Sequence, residues 1–189
     1  MIREDLNGAF RVGGARPRGR VSWLITAVGY IALKPGVQSV LLYRAAHTLA
    51  TRFHVPIVPW ILYIVNFYLT CCDIGPRARI GAGFVIVHPG GVVVHGGTVA
   101  GANLCLFSGV VIGERFDGRV SGPPRIGRDV FIGTGAKVLG PILIGDGSVI
   151  GANAVVLRDV PAGHRAMGIP AINYPGSRAE RSNAPEGDG

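Results

Sequence analysis

Residues 126–156 read IGRDVFIGTGAKVLGPILIGDGSVIGANAVV, and an aliphatic side chain returns there at every sixth place: Ile126, Ile132, Val138, Ile144, Ile150 and Val156. Glycine follows directly at Gly127, Gly133, Gly145 and Gly151, and a small residue stands two places earlier at Ala136, Ser148 and Ala154. A period of six fits neither the helical repeat of about 3.6 nor the simple alternation of a strand. It fits a prism of triangular section, in which each hexapeptide supplies one short flat strand and one corner. Three hexapeptides close a coil, so each aliphatic residue stacks over a counterpart about 18 residues away. Glycine suits the corners, where a Cβ is disfavoured.

Working back towards the amino terminus, the same step from Ile74 gives Ile80, Ile86, Val92, Thr98, Leu104 and Val110. Only Thr98 breaks the aliphatic run. The two ladders together amount to roughly four coils, enough for a continuous core because each coil buries its interior only against its neighbours. A β-sandwich with glycine turns would not keep phase for so long. The expected fold is mainly β, a left-handed parallel β-helix of hexapeptide repeats preceded by a short α-helical segment. Sixteen residues separate Val110 from Ile126, and GERFDGRVSGPPR at 113–125 reads as a loop thrown out from one corner. Such an excursion is either functional or a tolerated insertion.

The flanks divide by composition. Residues 1–20 are polar and rich in glycine and arginine, and are expected to be flexible; 21–70 read as two or three helices. The β-helix is expected over 71–172, and 173–189 form a polar tail. Two apolar stretches stand out, Val21–Leu33 and Val55–Cys72. Pro56, Pro59 and Asn66 interrupt the second, which suits a packed helix, or one lying on a membrane surface, better than a crossing one.

With 48% apolar and 16% charged residues the chain of 189 is globular, not disordered. Its net charge of +8 would suit nucleic acid, anionic lipid or a phosphorylated cofactor, and equally plain solubility. No aromatic-basic platform is present, so nucleic acid is not an expected partner. Three cysteines, Cys71, Cys72 and Cys105, follow no disulfide framework, and the polar start of the sequence leads us to expect no signal peptide. A reducing, cytoplasmic location is expected, reaching the inner face of the membrane if the apolar helices touch lipid.

Acyl transfer from a thioester to an alcohol needs a base for the hydroxyl proton, a donor for the tetrahedral oxyanion, and a hold on the cofactor's long arm. Histidine suits the base and a carboxylate suits the task of fixing its tautomer. His88 lies just off the inward ladder in VIVHPGG, and Asp73 stands 15 residues earlier, on the neighbouring turn of a coil of about 18. They can meet, or both can simply face solvent. His95 falls around the next corner and is expected to play no catalytic part. A zinc hydrolase on such a prism needs three converging histidines, and no third histidine has helpful spacing, so no metal is expected.

PGVQSVLLYRAAH at 35–47, DIGPRARIGAGFVIVHPGGVVV at 73–94, FIGTGAKVLGPILIGDGSVIGANAVVLRDVP at 131–161 and AMGIPA at 166–171 resemble the serine acetyltransferases and the related polysaccharide O-acetyltransferases. The resemblance implies acetyl-CoA as co-substrate, His88 as general base and Asp73 as its partner. It implies backbone N–H groups around Gly113 at the oxyanion, although Glu114 follows where the family has a second glycine. It implies a homotrimer with acetyl-CoA in a groove between subunits, near Gly133, Gly135, Ala136, Lys137, Gly151 and Ala152 and the segment Gly168-Ile169-Pro170-Ala171. The glycines and alanines among these are also the corner and interior residues that any such prism requires.

Departures at three positions matter. Serine-specific members of the family have an aspartate just before the base, where Val87 stands, and an arginine–histidine pair where Gly122 and Pro123 stand. A zwitterion without partners for its charges binds poorly. The sequence therefore leads us to expect a non-serine acceptor, a sugar, glycan precursor or other polyhydroxyl. True serine acetylation with altered contacts is the alternative, and a non-catalytic β-helix serving as scaffold is the third reading.

Overall fold

The computed structural model describes residues 1–115 and 121–176. Part of the expected loop, 116–120, and most of the expected polar tail, 177–189, lie outside the described residues. From residue 72 onwards the chain winds as a parallel β-helix with three faces. The first face stacks β1 (Cys72–Ile74), β4 (Val92–Val94), β7 (Val111–Gly113), β10 (Lys137–Leu139) and β13 (Val155–Val156). The second holds β2 (Arg79–Ile80), β5 (Val99–Ala100), β8 (Arg125–Ile126) and β11 (Leu143–Ile144). The third holds β3 (Val85–Val87), β6 (Cys105–Phe107), β9 (Phe131–Ile132), β12 (Val149–Ile150) and β14 (His164–Met167), and β15 (Ile172–Pro175) turns back antiparallel to close it. Ile74, Leu106, Ile112, Ile132 and Ile150 are among the fully buried side chains of the interior, each worth about 1.5–3 kcal/mol of burial.

The inward ladder slips once where an even step of six was expected. The inward aliphatic and alanine positions run Ile74, Ile80, Ile86 and then Val94, Ala100, Leu106 and Ile112, so the interval after Ile86 is eight residues. Cys72 stacks on Val92, a coil of twenty residues, whereas Val93 stacks on Val111 and Phe131 on Val149 at eighteen. Thr98 is thereby a buried small-residue position two places before Ala100, not a break in the aliphatic ladder. The even count hid this because residues two apart on a strand face the same side, so a two-residue slip still leaves aliphatic side chains inside. The two extra residues sit in the corner His88-Pro89-Gly90-Gly91. The later excursion lengthens its coil to 26 residues, from Cys105 to Phe131.

The expectation of a flexible segment over 1–20 fails for α1 (Ile2–Val12), a helix that buries Asp5, Leu6 and Phe10. Asp5 is the reason. Its carboxylate accepts from Arg44 Nε at 2.9 Å and Nη2 at 3.1 Å and from the backbone N–H of Phe84 at 2.9 Å. Arg44 in turn donates to the carbonyls of Ile80 and Gly81, both at 2.6 Å. A charge in a polar segment reads as solvent-facing, and only the fold supplies the partner that lets it be buried.

Three further helices follow: α2 (Arg20–Leu33), α3 (Pro35–Thr51) and α4 (Val58–Thr70). Pro35 opens α3, where its missing N–H costs nothing. Through Gly36, α3 lies so close to the third face that a Cβ there would stand 2.1 Å from the carbonyl oxygen of Ile86. Val40 and Tyr43 join the core of the prism, and the Tyr43 hydroxyl donates to Ala78 O at 2.7 Å. Among the described residues, no single helix is long and apolar enough to cross a membrane.

Candidate active site

Backbone hydrogen bonds climb the edge between the third and first faces from coil to coil. Gly109 N–H donates to Gly90 O, Gly135 N–H to Ser108 O and Asn153 N–H to Thr134 O, each at 2.8 Å, and Val155 N–H to Gly168 O at 3.0 Å. His88 stands at the first of these corners. Gly133, Gly135, Ala136 and Lys137, then Gly151 and Ala152, then Gly168 and Pro170 stand at later ones. Thus every residue expected to hold the cofactor lies along one edge with His88. Ala136 is fully buried, so only its backbone is offered outwards. Lys137 donates from Nζ to Gly109 O at 2.7 Å, which fixes a cation beside the column. Gly135, Ala152 and Gly168 keep parts of the edge low, between the exposed side chains of Thr134, Asn153 and Ile169.

The local sequence dictates how His88 is displayed. Its φ is 53°, with Gly90 at 139° and Gly91 at 66°, so the corner turns through left-handed backbone that glycine adopts without strain. The outcome is an exposed imidazole. Tyr30, Leu33, Lys34, Val87 and Pro89 line the cleft beside it. Among the described residues it has no hydrogen-bond or ion-pair partner.

Asp73 occupies the middle of β1 between buried Cys72 and Ile74, which turns its side chain outwards. Its Oδ1 accepts a 2.8 Å hydrogen bond from the hydroxyl of Tyr63 on α4. Burial first, and then this bond to the carboxylate, raise the Tyr63 phenol above its ordinary value and keep its proton in place. Asp73 lines a groove with Trp60, Tyr63, His95, Gly97 and Gly113. Within one chain, then, the structure brings Asp73 together with Gly113, and it leaves His88 in a separate cleft around the edge. No hydrogen bond joins Asp73 to His88 among the described residues.

His95 is the residue the sequence reading set aside. Its Nδ1 accepts from Gly97 N–H at 3.0 Å, so its proton sits on Nε2, which points at Glu114 Oε2, 3.7 Å away. Glu114 also accepts from the Ser121 hydroxyl. The signal was present but displaced: with a first coil of twenty residues, Asp73 stacks on Val93, and His95 follows two places later beside the Asp73 strand. Tyr63 carried no signal, because its partner lies on an element of different type.

The fold is shared with known serine acetyltransferases. A family profile described as bacterial transferase hexapeptide (six repeats) matches residues 123–158. The serine acetyltransferase of Helicobacter pylori is 38% identical over 155 residues, covering 82% of this chain and 87% of its own. That of Bacillus subtilis is 39% identical over 170 residues, covering 90% of this chain and 74% of its own. Among solved structures, serine acetyltransferase from Brucella abortus in complex with coenzyme A superposes with a TM-score of 0.80 at 29% identity, over 93% of this chain and 67% of that one. Soybean serine acetyltransferase complexed with serine gives 0.76 at 34% identity, over 90% and 67%. Four coils of hexapeptide repeat, an imidazole on one edge and this degree of likeness make the chain an acyltransferase of the hexapeptide-repeat serine acetyltransferase family.

Proposed function

We propose that this chain transfers an acetyl group from acetyl-CoA to a hydroxyl, with serine as the acceptor its relatives favour. The observation that carries the reading is the imidazole of His88, unpartnered among the described residues, standing on the edge whose later corners are rich in glycine and alanine. An imidazole with no bond of its own can take a proton. The glycine- and alanine-rich corners let the amide arm of a thioester carrier approach the backbone closely, and the net charge of +8 suits its phosphates.

In the proposed step His88 removes the acceptor's hydroxyl proton as the oxygen attacks the thioester carbonyl carbon. The oxyanion is held by backbone N–H groups near Gly113. Collapse breaks the carbon–sulfur bond, and the imidazolium returns its proton to the departing thiolate. Asp73 orients the imidazole. Because Asp73 with Gly113 and His88 with the bare corners belong to different edges, a groove completed by a second protomer of a homotrimer would unite them.

The expected sugar or glycan acceptor finds no support among the relatives, whose names are those of serine acetyltransferases. One observation keeps it as a second reading. Val87 puts an apolar side chain in the His88 cleft, and Pro123 lies against Gly97 on the other edge, so neither of these two residues offers a charge to a zwitterion. Among the described residues only Lys34 in the first cleft and Asp73 and Arg77 in the second are charged. Release of CoA thiol, measured against serine, sugars and nucleotide sugars, decides between them. Saturable turnover of serine is the expected result; turnover confined to polyols would replace serine as acceptor. Absence of CoA binding in isothermal titration would leave only a scaffold role.

A further inference from the structure

Helix α2 is apolar on both sides, yet the fold uses only one. On its inner side Ala27 is buried, and Trp23 and Tyr30 pack edge-on against Phe10 at 6.1 and 4.8 Å between ring centroids. On its outer side Val21, Leu24, Ile25, Val28 and Ile31 follow helical spacing and are 40–73% exposed. No charged residue occurs from Val21 to Leu33. A helix hydrophobic all round is stable only when its second face also leaves water.

The surroundings select the second solvent. Arg16, Arg18 and Arg20 are exposed at the start of the helix, and Lys34 is exposed at its end. Fourteen residues span about 21 Å, short of the roughly 30 Å hydrocarbon layer. Nor can α3 extend it into a span. The two axes bend by 92° at the break, and α3 buries Tyr43 and the ion-paired Arg44 against the prism. An apolar stripe too short to cross, flanked by cations, is the pattern of a helix lying in the plane of an anionic interface.

We propose that the outer side of α2 rests on an anionic lipid surface and holds the enzyme there. The inner side stays on α1 and α3, so docking requires no rearrangement. This inference is independent of the acceptor and of the acetyl chemistry.

Co-sedimentation of the full chain with vesicles tests it, using phosphatidylcholine alone and phosphatidylcholine mixed with phosphatidylglycerol. The wild type is expected to bind the mixed vesicles, more weakly as salt rises, and the neutral ones far less. Combined Leu24→Gln, Ile25→Gln and Val28→Gln should weaken binding at least tenfold. Combined Arg16→Gln, Arg18→Gln and Arg20→Gln, at exposed positions remote from the core, should cost about 100-fold on the mixed vesicles. A wild type that ignores phosphatidylglycerol, or arginine variants that bind as it does, would overturn the proposal. So would a glutamine variant that sheds subunits in sedimentation velocity, because α2 would then lie between copies of the chain.

Discussion

The hydroxyl of Tyr63 donates a 2.8 Å hydrogen bond to Oδ1 of Asp73, tying the last helix before the prism to the first strand of its first face. One carboxylate oxygen is thereby occupied from the helical side, and Asp73 lines the groove that also holds His95 and Gly113. If Asp73 orients the base, Tyr63 positions Asp73. Tyr63→Phe should lower kcat about tenfold, the rate equivalent of one lost charge-assisted bond. KM for acetyl-CoA should change little. A kcat equal to wild type would detach this pair from the chemistry.

Two imidazoles flank the first face, and they separate by experiment. His88→Ala should lower kcat/KM by about 10² or more, the usual worth of a general base. His95→Ala should act mainly on KM for the acceptor, since His95 is already engaged with Gly97 and Glu114. Steady-state kinetics of both variants give the answer, and the reverse pattern would make His95 the base.

The ion pair of Asp5 and Arg44 binds α1 to α3 and the first coil. Asp5→Ala strands a guanidinium that is 4% exposed, and unfolding free energy should fall by about 3–5 kcal/mol. Urea denaturation of Asp5→Ala, Arg44→Ala and the double variant measures the pair. If the losses of the two single variants simply add in the double variant, the two charges are not coupled.

Thr98 presents the opposite case. It is fully buried, and its hydroxyl has no partner among the described residues. Thr98→Val keeps the shape and removes the unsatisfied group, so it should raise stability by about 1 kcal/mol. A lower melting temperature would count against the placement of Thr98 in the interior.

The cysteines should differ in reactivity. Burial pushes the Cys105 thiol up to about 11, while Cys71 is exposed. At pH 8 iodoacetamide should label Cys71 and spare Cys105. Because the folded value of Cys105 is the higher one, its contribution to stability is complete below the ordinary thiol range and is lost as pH rises through about 11. Mass mapping of the alkylated protein checks the first statement, and melting temperature against pH the second.

The run from Ile126 to Val156 by itself determined the architecture, because a six-residue period of aliphatic and small residues has no other way to bury itself than in stacked triangular coils. His88 stood out in the sequence as a histidine just off the ladder, and the glycine and alanine corners expected to hold the cofactor were implied by the resemblance to the serine acetyltransferases. The tertiary structure alone decided the rest. It showed the two-residue slip at His88, invisible in a pattern where alternate residues share a face. It paired Asp5 with Arg44 and Tyr63 with Asp73 across elements of different type, where no periodicity connects the partners. It set Asp73 beside Gly113 and His95, apart from His88, because which side chains share a groove depends on coil length and on the face each strand presents, and neither is a local property of the chain.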